Sequence, residues 1–86
     1  MSQTLADIIG LTGSALFIAA FAYANVAKQL NKVAFNLANL VGAILLLVSL
    51  SVNFNLAAVV LEAAWGTIAA AGLALAVRAK LKKSQP

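Results

Sequence analysis

Three long apolar runs separated by short polar links leave this chain very few ways to fold. The first, Ile8 to Ala27, is 20 residues without a charged side chain. A helix of that length, rising ~1.5 Å per residue, crosses the ~30 Å hydrocarbon layer of a bilayer. Two further runs follow, so the sequence predicts an all-α fold: an integral membrane three-helix bundle with helices at about residues 5–27, 33–51 and 56–79 and a basic tail at 78–86. With no dividing linker and no internal repeat, residues 1–86 read as a single membrane domain. Composition excludes the soluble alternative. The chain is 64% hydrophobic and 9% charged, with a mean hydropathy of +1.02, and 86 residues carry too little polar surface to cover three such runs.

The charges sit where a membrane protein needs them. Lys28 and Lys32 bracket the link between runs one and two, and Arg78, Lys80, Lys82 and Lys83 follow run three. If all three runs span, these topology anchors share one side, while the N-terminus and the Asn53-Phe54-Asn55 turn on the other side carry no positive charge. The positive-inside rule then puts the N-terminus out and the C-terminus in the cytoplasm, the arrangement expected for a bacterial inner membrane. The first seven residues have no basic start, so run one reads as a retained helix rather than a signal peptide.

The same distribution argues against nucleic acid as a partner, because single-strand binding needs basic residues interleaved with aromatic ones on one face. Membrane lipids are expected partners, and the basic tail suits anionic headgroups. The chain has no cysteine and no histidine, which removes thiolate sites and the commonest general base and metal ligand. Nothing pairs a nucleophile with a base, so no enzyme activity, metal or cofactor is expected.

The polar residues inside the runs are the candidates for function. Every fourth position of run three gives Ala58, Glu62, Gly66, Ala70 and Ala74, a ridge of small side chains with one carboxyl, suited to close helix packing or a partner contact. Glu62 lies ~9 Å into the membrane from the outer end by helix rise. An ionised carboxylate there costs several kcal/mol, so Glu62 is expected to be protonated, hydrogen-bonded, or facing water or a partner. At the same depth on run one, Thr12 and Ser14 offer hydroxyls, and Gly10 with Ser14 forms a second small-residue contact. Asn36 and Asn39 enter run two from the cytoplasmic end and can bond across helices. Trp65 falls near mid-membrane, where its indole N–H needs a partner.

The stretch Phe35-Asn36-Leu37-Ala38-Asn39-Leu40-Val41-Gly42-Ala43, with Val59-Val60-Leu61-Glu62-Ala63-Ala64-Trp65, resembles a family of small, functionally uncharacterised bacterial membrane proteins with three helices. The resemblance runs from about Ile8 to Ala76. More distantly, the length and plan are similar to the SemiSWEET and PQ-loop half-transporters, which dimerise around a sugar path. This chain lacks their Pro-Gln motif and has Ala22-Tyr23-Ala24-Asn25 in that area.

Two functional expectations follow. The first is a non-enzymatic accessory subunit that packs its third-helix ridge against a larger membrane complex of respiratory or photosynthetic type. The second is a homodimeric half-transporter for a small polar solute, coupled to protons through Glu62. Three helices alone cannot enclose a pore, so either expectation requires a membrane-protein partner or self-association.

Overall fold

The computed structural model describes residues 1–83; residues 84–86 of the expected basic tail lie outside the described residues. The chain forms α1 (Gln3–Val26), α2 (Lys32–Leu50) and α3 (Leu56–Lys83). All three are long and apolar enough to cross a membrane.

Each helix starts on a polar cap. Ser2 Oγ accepts the Leu5 N–H, Asn31 Oδ1 the Ala34 N–H and Asn55 Oδ1 the Ala58 N–H, each at 3.1 Å. First-turn N–H groups have no intrahelical acceptor, so these side chains fix where the helices begin. That is why α1 starts at Gln3, before the first uninterrupted apolar stretch. Tyr23 closes the first link: its hydroxyl oxygen accepts the Asn31 N–H at 2.7 Å.

The third helix runs beyond residue 79 to Lys83, because Arg78, Lys80, Leu81, Lys82 and Lys83 are good helix formers and cations suit a helix C-terminus. Its 28 residues give ~42 Å of helix against ~30 Å of hydrocarbon. Its last turns carry the basic residues.

The second helix lies between the other two. α1 and α3 each pack against α2, and no Cα of α1 comes within 8 Å of one in α3. The two ends of the bundle differ in chemistry. At one end Asn53 Nδ2 donates to Asp7 Oδ1 at 3.3 Å, joining the start of α1 to the α2–α3 turn. At the other, the α1–α2 link and the last turns of α3 surround a cavity lined by Lys32, Lys80 and Lys83.

Candidate functional site

Small residues on both sides of α2 set the geometry of its two seams. Toward α1, a Cβ at Gly13 would lie 2.8 Å from the Gly42 carbonyl oxygen and one at Gly10 2.7 Å from Ser49 Oγ. Only glycine permits that backbone approach. Ala6 and Ala43 are wholly buried, at 0% exposure. Gly42 does more than let α1 in. A Cβ there would meet the Phe17 ring at 2.8 Å, so the bare glycine is a saddle over which Phe17 crosses α2 to reach α3. Its ring meets Trp65 with centroids 5.9 Å apart and planes at 52°, a tilted aromatic contact.

Toward α3 the seam is polar. Trp65 Nε1 donates to Asn39 Oδ1 at 3.2 Å, and Asn39 Nδ2 donates to the Phe35 carbonyl at 3.0 Å. The indole N–H thus finds its partner one helix away. Asn36 Nδ2 donates to the Lys32 carbonyl at 2.8 Å, and its amide lies over α3 at Gly72, where a Cβ would come within 2.5 Å of Asn36 Oδ1. Gly66 faces Ala43, with a notional Cβ 3.2 Å from the alanine Cβ.

Glu62 sits one turn from Gly66 toward the end where Asn53 meets Asp7, half-buried, and its Oε2 is buried without a hydrogen-bond partner. Thr12 and Ser14 do not serve it. Thr12 Oγ1 donates to the Ile8 carbonyl at 2.8 Å and Ser14 Oγ to the Gly10 carbonyl at 3.0 Å, both within α1. Hydroxyls that bond four residues back satisfy themselves inside their own helix.

The ridge read at four-residue spacing divides between two faces of α3. Ala58, Glu62 and Gly66 are half-buried, whereas Ala70 and Ala74 are exposed. Each four-residue step overshoots a turn by about 40°, so five members spread over about 160° of the helix. The seam with α2 instead continues through the buried Ala69 and the half-buried Gly72, Leu73 and Ala76.

A family model matches residues 6–80 of the chain. The chain belongs to that family, which is functionally uncharacterised. No curated protein and no solved structure matches it. The family span takes in both seams of α2, with Glu62, Asn39 and Trp65 inside it.

Because α1 and α3 meet only over α2, a groove runs between them. One part, of about 300 Å³, is walled by Phe17, Ile18, Phe21 and Trp65 and floored by Phe35 and Asn39. A second part, of about 220 Å³, shares Phe35, Asn39 and Trp65 and adds Asn36, Ile68 and Ala69. Among the described residues, no group of three His, Cys, Asp or Glu side chains could hold a metal ion. Phe17 and Phe35 gave no sequence signal as site residues, since aromatic residues in an apolar run are indistinguishable from packing.

Proposed function

We propose that this protein is a non-enzymatic subunit of a larger membrane assembly, embedded in a bacterial inner membrane with the N-terminus outside and the basic end in the cytoplasm. One observation carries the reading. Away from α2, α3 exposes Ala63, Thr67, Ala70, Ala71 and Ala74 as a smooth face of small side chains. Thr67 Oγ1 donates to the Ala63 carbonyl at 2.7 Å, so nothing polar on that face calls for water. In lipid, a small-residue surface gains most from a second helix that can approach closely. The orientation rests on the basic residues gathered at one end of the bundle. The assembly in this reading is of respiratory or photosynthetic type.

The half-transporter reading draws less support, because the groove lining is apolar apart from Asn36, Asn39 and the Trp65 indole. The test is the double substitution Ala70→Leu with Ala74→Leu. Both positions are exposed, so the isolated fold should stay within about 0.5 kcal/mol of the parent. Mild-detergent purification of the parent should retain the partner, seen by native mass spectrometry, and the double variant should lose it. Retention by both proteins overturns the reading.

A further inference from the structure

The geometry points to a binding site for one anionic phospholipid, with its phosphate held at the basic end of the α2–α3 seam and an acyl chain lying in the aromatic groove. This goes beyond the subunit reading and uses a different surface of the molecule.

Two cavities and the seam between them carry the inference. At the basic end, a cavity of about 670 Å³ is lined by Lys32, Lys80 and Lys83 together with the polar side chains of Gln29 and Asn31. Three cations around one cavity, with neutral hydrogen-bonding groups beside them, match a phosphodiester headgroup. The α1–α2 link forms part of its wall, facing the last turns of α3.

Lys32, Asn36 and Asn39 occupy successive turns of one α2 face, and Asn36 is hydrogen-bonded to the Lys32 carbonyl. Lys83, Lys80, Ala76, Gly72 and Ala69 run antiparallel along α3. The basic cavity and the space lined by Phe35, Trp65 and Ile68 therefore follow one another along this pair of helices, with the Asn36–Gly72 contact packed between them. From Lys32 to Asn39 the helix rises ~10 Å, the reach of the upper half of an acyl chain lying below its phosphate. Phe21 and Ile18, 72% and 70% exposed, open the groove to the surrounding hydrocarbon. A chain can enter from the side.

The chain's single tryptophan stands in the groove and reports on it directly. The full-length protein is reconstituted in phosphatidylcholine vesicles containing a minor fraction of either phosphatidylglycerol or phosphatidylcholine brominated near the middle of its acyl chains. Quenching of Trp65 should show a preference of about a hundredfold for the brominated anionic lipid, on the scale of three surface lysines acting on one phosphate. Lys32→Gln, Lys80→Gln and Lys83→Gln together should abolish the preference while leaving quenching by brominated phosphatidylcholine unchanged, which shows that the groove is intact. A charge-matched control, Lys28→Gln with Arg78→Gln and Lys82→Gln, should keep it.

Equal quenching by the two lipids overturns the site. Loss of the preference in the control as well shows diffuse attraction to the basic end and also overturns it. So does protection of Trp65 from both brominated lipids, because a protein segment then fills the groove.

Discussion

The two seams of α2 use small residues for opposite ends. Between α1 and α2, glycine removes side chains so that backbone meets backbone, Gly13 against Gly42, and the space is closed. Between α2 and α3, Gly66 packs on Ala43 and Gly72 leaves room that Asn36 occupies, while Asn39 takes the Trp65 indole N–H and Glu62 keeps an unpartnered oxygen. In lipid, where apolar surface gains little by moving from tails to a neighbouring helix, the first seam depends on dispersion and close fit and the second on hydrogen bonds. A closed seam cannot yield to added volume. A polar seam tolerates change in volume better than loss of a partner.

The sharpest way to break that contrast is Gly13→Leu. The new side chain meets a backbone carbonyl rather than a flexible side chain, and the cost should reach about 3 kcal/mol or more. Thermal unfolding in detergent should show the loss, and a near-parental midpoint would mean that the first seam is not closed.

Glu62→Met probes the other seam and should act in the opposite direction. Replacing a buried, unpartnered oxygen with an apolar side chain of similar length should stabilise the isolated protein by about 1–3 kcal/mol. Destabilisation would show that the carboxyl has a partner in the folded monomer.

The smallest effect belongs to the Asn39–Trp65 bond. A double-mutant cycle with Asn39→Leu and Trp65→Phe should give a coupling of about 1 kcal/mol, read from the same unfolding curves. A coupling near zero would leave Trp65 held by Phe17 alone.

Much of this was legible in the residues. The run lengths and the paired polar links specify three helices, since a charge-free stretch of that length has no other stable state in lipid. The apolar runs put the helix starts at about residues 5, 33 and 56, whereas the side chains of Ser2, Asn31 and Asn55 cap the first turns and set them at Gln3, Lys32 and Leu56. The asparagine pair and the indole stood out because each needed a hydrogen-bond partner, although which partner each would take was not readable. The intended partners of Glu62 show the limit: equal depth suggested Thr12 and Ser14, but depth says nothing about which helix faces which.

The sequence by itself determined the number of helices and the concentration of positive charge beyond two of the runs, because these follow from hydropathy and charge along the chain. Only the tertiary structure decided that α2 is central and that Gly42 is crossed by Phe17. It also separated the α3 ridge into a seam at Glu62 and Gly66 and an open face at Ala70 and Ala74. Those outcomes depend on rotation about each helix axis, which apolar runs leave open: with hydrophobic side chains all round, nothing short of side-chain fit between neighbours selects the facing side.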